Sequence, residues 1–282
     1  MRNSQRPHSR QLTGRLAVAT IALTLSLAAG AQQPATHDAD DLAKQLSNPV
    51  ADLVSVPFQF NWEEGVGPED ATRMVLNVQP VVPFHLNDDW NLIGRWIMPF
   101  VSQPSLGTGL DATYGLGDIQ FSAFFSPRSS GLIWGVGPAV NLPVSEEPTL
   151  GSGKWAAGPT LLVLKESGHW TYGVLVNQLW SFADTSDTGR PDVNRTFIQP
   201  FLAYAKGKGI TFTVQSEATY DREAADGDEW TVPINFMVSK VTTFGPFPFS
   251  IAGGYGYFVD SPSIGPERKL RIAFTLILPR KS

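Results

Sequence analysis

Twelve polar side chains fall on one phase of a series of alternating runs, and they are the residues of this 282-residue chain best placed to do chemistry. Arg73, Arg95, Asp118, Glu217 and Arg271 are ionisable; Asn77, Gln79, Gln120, Asn177, Gln199, Gln215 and Asn235 lie between them. Such residues on one face of a sheet either line water or pair with one another. Charges of both signs suit weak ion selection, because strong selection comes from rings of one sign. They suit equally a filled interior in which acid and base pair across a narrow barrel. The chemistry expected of them is recognition of a small, at most weakly charged molecule.

Bond-making chemistry finds little to build on. With no cysteine there is no disulfide, thiol nucleophile, thiolate metal site or lipoprotein acylation site. A barrel-embedded hydrolase needs a hydroxyl nucleophile beside a histidine. After removal of an export signal only His37, His85 and His169 remain, and none stands in a His-x-Ser-Asn-Gly setting. His85 follows the polar phase of its run, as a lumen or mouth residue would. Asp226-Gly227-Asp228 lacks the remaining ligand spacing of a calcium loop. No glycine-rich loop precedes a helix; Gly94, Gly135, Gly137, Gly253, Gly254 and Gly256 are expected where strands bend or approach closely. The expectation is no catalytic residue, no cofactor and no metal.

The elements that must position the twelve are strands. In 54–62 every even position is apolar and the odd ones are small or polar; Met74, Leu76, Val78, Val82 and Phe84 continue this against Arg73, Asn77, Gln79 and His85. Ile210, Phe212 and Val214 repeat it, as do Trp230, Val232, Ile234, Phe236 and Val238. A period of two puts one apolar and one polar face on each strand. The runs are about 9–12 residues long, enough for a tilted strand to cross hydrocarbon. Runs 155–164 and 197–205 are apolar on both phases, so their faces cannot be assigned by period.

About twelve runs lie between Val54 and Leu278, and their connections alternate in length. Long ones are expected at 63–72, 102–115, 143–153, 183–194, 221–229 and 260–268; short ones at 87–89, 126–131, 166–168, 206–209 and 240–245. Long loops at one end and tight turns at the other describe an all-β transmembrane antiparallel meander barrel of about 12 strands. Trp62, Trp155, Trp180 and Trp230 fall at the long-loop ends of strands and Trp90, Trp134 and Trp170 near the short-turn ends, with only Trp96 in mid-strand. Indoles gather at the two headgroup levels, where the ring is apolar and the N–H is wet. A mean hydropathy of −0.07 is consistent with strands of which only half faces lipid. A soluble periplasmic β protein remains the fold-level alternative.

The beginning of the chain reads as a signal peptide over 1–31. Arg2, Arg6, Arg10 and Arg15 are followed by the apolar stretch 16–27 and a small-residue cleavage site, Ala29-Gly30-Ala31; a retained anchor helix is the alternative. Cleavage would take the formal charge from −5 to −9, which disfavours nucleic acid as a partner. Residues 32–52 form a periplasmic leader. Acidic Asp38, Asp40 and Asp41, Leu42 and Leu46 four apart, and a stop at Pro49 describe a short N-terminal helix, either a plug in the barrel mouth or a frayed segment. The barrel occupies 53–282. The six long connections hold 17 of the 26 acidic residues and only Arg190, Arg222 and Arg268 as basic ones, so they are either a solvated surface or a site where divalent cations bridge lipopolysaccharide.

The run Leu42-Ala43-Lys44-Gln45-Leu46-Ser47-Asn48-Pro49-Val50-Ala51, followed by Val54-Ser55-Val56-Pro57-Phe58-Gln59, is similar to the start of the bacterial outer-membrane β-barrel family of the MetA-pathway of phenol degradation. Members of that family are often labelled neuromedin-U-like or transporter. Gly115-Leu116-Gly117-Asp118-Ile119-Gln120, Gly151-Ser152-Gly153-Lys154-Trp155 through Gly158-Pro159, and 172–182 resemble it in the same order. The resemblance implies a barrel in the cell outer membrane, a channel or transporter for small, hydrophobic or aromatic molecules, with no established substrate and no catalytic residues. Outer-membrane lipid and lipopolysaccharide and the outer-membrane assembly machinery are the expected partners, with the small-molecule substrate unknown. The closing strand carries Leu270, Ile272, Phe274, Leu276 and Leu278 but not the terminal aromatic common in such barrels. An outer-membrane lipid hydrolase and a structural barrel without transport are the other readings.

Overall fold

The structure is a computed structural model that describes residues 39–128, 131–185, 189–244 and 247–278. The signal-peptide expectation lies outside these residues. Fifteen strands form one antiparallel sheet in which each span pairs with its chain neighbours. The sheet closes where β15 (Arg268–Leu278) pairs with β1 (Val54–Val66), from Glu64↔Arg268 to Val54↔Leu278. The result is a twelve-span barrel, because three of the spans are each cut in two.

The cuts are local and have visible causes. β2 (Ala71–Val78) and β3 (Val81–His85) are separated by Gln79-Pro80, where proline has no N–H to give the ladder. The wall stays joined because the Trp96 N–H donates to the Pro80 carbonyl at 3.0 Å. β5 (Thr113–Leu116) and β6 (Ile119–Pro127) part at Gly117-Asp118, and β11 (Ile210–Ser216) and β12 (Ala218–Asp221) at Glu217. The remaining spans are continuous: β4 (Trp90–Gln103), β7 (Leu132–Leu142), β8 (Lys154–Ser167), β9 (Trp170–Asp184), β10 (Asn194–Gly207), β13 (Trp230–Phe244) and β14 (Phe247–Asp260).

Loop lengths segregate by end, with two corrections. The strand ends that lead into the longer connections (Gln103, Leu142, Asp184, Asp221 and Asp260) lie at one end, and those that lead into the shorter ones (His85, Pro127, Ser167, Gly207 and Phe244) at the other. β13 continues to Phe244, so most of the short turn expected at 240–245 is strand. The first long loop, expected at 63–72, is a turn over 67–70, since β1 continues to Val66 and β2 starts at Ala71. Gly65, Gly67 and Asp70 take positive φ, and a bulge between Glu63 and Val66 turns the chain tightly. Ion pairs Arg73–Glu63 (2.6 Å) and Arg268–Glu64 (2.8 Å) keep the acidic residues inside the ladder rather than in a loop.

Alternation sorts the faces. Met74, Phe100, Phe212, Phe236 and Leu270 are exposed on the outer surface, whereas Asn61, Asn177, Thr211 and Arg271 are buried within. Aromatic pairs mark both ends of the outer band: Trp90–Trp134 and Trp170–Tyr204 near the short turns, Tyr220–Trp230 near the long loops. Burial also assigns the two spans that period left open. Ala156, Thr160, Leu162 and Leu164 of β8 are enclosed while Trp155 and Leu161 are exposed; Ala203 of β10 is enclosed while Leu202 is exposed.

The interior is not polar throughout. Ile93, Phe124, Leu162, Leu164 and Leu175 form an apolar cluster on one inner wall, packed against Val50 of the leader. On the other side Leu42 and Ala43 of α1 (Ala39–Leu46) pack against Val241 and Ile277. These residues were missed by a reading in which the apolar phase meets only lipid: a barrel whose mouth is occupied needs apolar wall there too. Lys44 pairs with Glu166 at 3.1 Å, and Asp40 accepts from the Gly209 N–H, holding the helix between two short turns. The helix and the residues after it therefore occupy the short-turn end of the barrel.

Candidate functional site

The interruption at Glu217 lies at the centre of the barrel's polar network. Both Glu217 oxygens accept from the Arg271 guanidinium, at 2.9 and 2.8 Å, and Lys269 Nζ reaches Oε2 at 3.0 Å. Arg271 Nε donates to Asn61 Oδ1 at 2.7 Å, and Asn61 Nδ2 donates to the Val75 carbonyl at 3.2 Å. Gln59 lies within hydrogen-bond distance of Gln79 (2.6 Å) and of the Arg271 guanidinium (2.5–2.8 Å), which it satisfies with its amide oxygen turned inward. Arg95 Nη2 donates to Gln79 Oε1 at 3.2 Å; Gln199 donates to Gln215 and Gln215 to Glu217, each at 3.2 Å. Lys269 also stands 5.4 Å from the ring centre of Phe258. Charge-assisted bonds of this kind are short and strong when enclosed.

Two chambers lie along the barrel on either side of this level. Toward the leader lies one of about 280 Å³, lined by Gln59, Gln79, Arg95, Gln199, Glu217 and Arg271 and closed below by Leu46, Asn48 and Pro49. Toward the long loops lies one of about 610 Å³, lined by Arg73, Asn77, Asp118, Gln120, Asn177 and Arg195 among others. Several polar side chains of the wider chamber are tied to its wall. Asp118 accepts from Ser152 N–H (2.7 Å), Ser152 Oγ (2.6 Å) and Asn141 Nδ2 (3.1 Å); Arg195 pairs with Asp221 at 2.7 Å. At the rim Lys154 bridges Asp184 and Asp192 at 2.8 and 3.2 Å.

The twelve residues singled out from the sequence thus divide. Gln79, Arg95, Gln199, Gln215, Glu217 and Arg271 surround the smaller chamber. Arg73, Asn77, Asp118, Gln120 and Asn177 surround the larger. Asn235 joins neither: it is 2% exposed, and its amide has no hydrogen-bond partner among the described residues. Gln59, Asn61, Lys269 and Arg195 belong to the network or the walls and were passed over in the sequence. Their phase was a usable signal, since Gln59 and Asn61 alternate with apolar β1 residues and Lys269 lies two positions before Arg271.

The two described histidines, His85 and His169, are in the lining of neither chamber. His85 Nε2 lies 2.7 Å from Asp52 Oδ2, and the His169 ring lies 5.9 Å from Tyr204. Neither has a hydroxyl side chain among its hydrogen-bond partners in the described residues. No cluster of three or more potential metal ligands occurs among the described residues.

No protein-family model and no curated protein sequence matches the chain. Solved structures do match it. A COG4313 outer membrane channel from Pseudomonas putida F1 superposes with a TM-score of 0.60 at 17% identity, over 80% of this chain and 94% of that one. The NanC porin superposes with a TM-score of 0.53 at 12% identity, over 80% of this chain and all of that one. The chain has the fold of an outer-membrane β-barrel. Its closed edge leaves no unpaired strand for lipid to meet and its outer face is apolar, so the cell outer membrane is its location.

Proposed function

We propose that this barrel passes small molecules across the outer membrane along its interior, without catalysing a reaction on them. The observation that carries the reading is the stacking of the two chambers. Asn77 and Gln79, Ile97 and Arg95, Phe197 and Gln199, and Thr219 and Glu217 are neighbouring inward steps on four spans, the first of each pair lining the wide chamber and the second the narrow one. A path from the long loops to the leader would pass the charged network around Glu217 between them. Long loops are read as the extracellular end and the leader as the periplasmic closure. The family resemblance of the sequence supports hydrophobic or aromatic cargo. That neither described histidine is hydrogen-bonded to a hydroxyl side chain among the described residues supports a non-enzymatic role.

Single-channel conductance in a planar bilayer tests the reading, with the mature chain and with residues 32–50 removed. Small steady conductance that rises on removal is expected. Silence in both forms accompanied by lipid turnover would establish a hydrolase instead, and silence without turnover a structural barrel.

A further inference from the structure

The narrow chamber has an imbalance of charge. Arg95 and Arg271 line it with Glu217 as the one carboxylate of its described lining; Lys269, outside the lining, pairs with Glu217, and Glu63 is held by Arg73. Arg271 and Lys269 occupy both Glu217 oxygens. Arg95 is left with an amide, Gln79, and no carboxylate within ion-pair distance among the described residues. A guanidinium withdrawn from bulk water without a counter-charge is costly, and an anion beside it recovers much of that cost.

Away from this network the lining is mixed, with Leu46, Pro49, Met237 and Ala252 beside Ser239, Ser250 and Thr275. The chamber adjoins a cavity of about 240 Å³ that shares Leu46, Pro49, Met237, Ala252 and the polar Ser239, Gln199 and Gln215 with it, and adds Phe201 and Val241. Charge is thus concentrated at the network, with apolar surface from Leu46, Pro49, Met237, Ala252 and Phe201 available beyond it. A phosphate would leave the apolar surface uncovered, a neutral aromatic would leave Arg95 unmet, and a second carboxylate would meet the repulsion of Glu217.

We propose that this chamber binds a small organic monocarboxylate with an apolar body, the carboxylate on Arg95 and the body against Met237, Phe201 and the leader's Leu46 and Pro49. The site names a substrate class for the channel and, as a statement about transport, rests on that reading; as a statement about binding it does not.

Calorimetric titration of the refolded mature chain in detergent tests it, with benzoate against benzyl alcohol and inorganic phosphate. Benzoate is expected to bind at least tenfold more tightly than either. Arg95→Gln should remove that preference, and Ala252→Phe, which fills the chamber and leaves the cations in place, should abolish benzoate binding. A heat-dependent gel shift reports folding of each variant, and either variant alone decides if the other fails to fold. Equal affinity for benzoate and benzyl alcohol, or benzoate binding unchanged by a folded variant, would overturn the site. Flux into liposomes separates the two readings: benzoate bound but not passed ends the channel and keeps the site. Passage of neutral solutes without benzoate binding does the reverse.

Discussion

Arg271 and Glu217 lie 54 residues apart in the chain and meet through two parallel hydrogen bonds of 2.9 and 2.8 Å inside the barrel. Arg271 is presented by the closing strand, and Glu217 by the break between β11 and β12, so the pair bridges over β13 and β14 on the inner face rather than lying along one ladder. Removing one partner of an enclosed ion pair leaves an uncompensated charge, at a cost of about 3–5 kcal/mol. Glu217→Ala is therefore expected to lower stability by that order, measured as the urea midpoint of the gel-shifted form. Arg95→Ala, which breaks no ion pair, should cost far less. Equal loss in both would mean that the interior acts as one packed polar core.

Phe236 and Asn77 separate the two faces. Phe236 is 57% exposed on the outer surface, whereas Asn77 lines the wide chamber. A lysine at Phe236 should cost roughly 2–4 kcal/mol near the membrane midplane. A lysine at Asn77 should be tolerated, because water reaches that side. Asn235 has the same inward phase but is enclosed, so charge there is expected to destabilise. Greater loss from Asn77→Lys than from Phe236→Lys would reverse the inside and outside of the barrel.

Val50 anchors the leader in the apolar cluster of Ile93, Phe124, Leu162, Leu164 and Leu175. A carboxylate at this position loses the packing and meets no partner. Val50→Asp should release the leader and raise conductance toward that of the chain lacking residues 32–50, with the barrel still resistant to detergent. Unchanged conductance would show that the leader is not what closes the path.

Gly137 and Gly158 allow neighbouring strands to approach. A Cβ at Gly137 would overlap the Ala123 carbonyl oxygen, and one at Gly158 the Gln178 carbonyl oxygen, whereas a Cβ at Gly253 would meet nothing. Gly137→Ala and Gly158→Ala are expected to destabilise by about 1–3 kcal/mol through forced backbone movement. Gly253→Ala should be near neutral. The unfolding midpoints of the three variants give the comparison.

Topology follows from loop placement. Epitope tags within 104–112 and 222–229 should be reached by antibody on intact cells, and a tag within 128–131 only after permeabilisation. The opposite pattern would place the leader outside.

The alternation of Val54–Trp62, Trp230–Val238 and similar runs was enough to specify strands, their two faces and an antiparallel meander. These properties are local: successive side chains point to opposite sides whatever the strand pairs with. Tight turns such as 168–169 and 208–209 were legible for the same reason, through Gly168 and Gly209 at positive φ. What period could not supply was who meets whom inside. Arg73 and Arg95 share an inward phase, yet one pairs with Glu63 and the other has only Gln79, because the register between strands decides which rung each occupies. Nor could period distinguish Leu162, which packs on Val50, from Phe236, which faces lipid: both are apolar strand residues, and only closure of the sheet around the leader turns one inward. Strand identity was determined by neighbours along the chain, while the charged network was determined by contacts inside a cylinder that exists only once β15 has met β1.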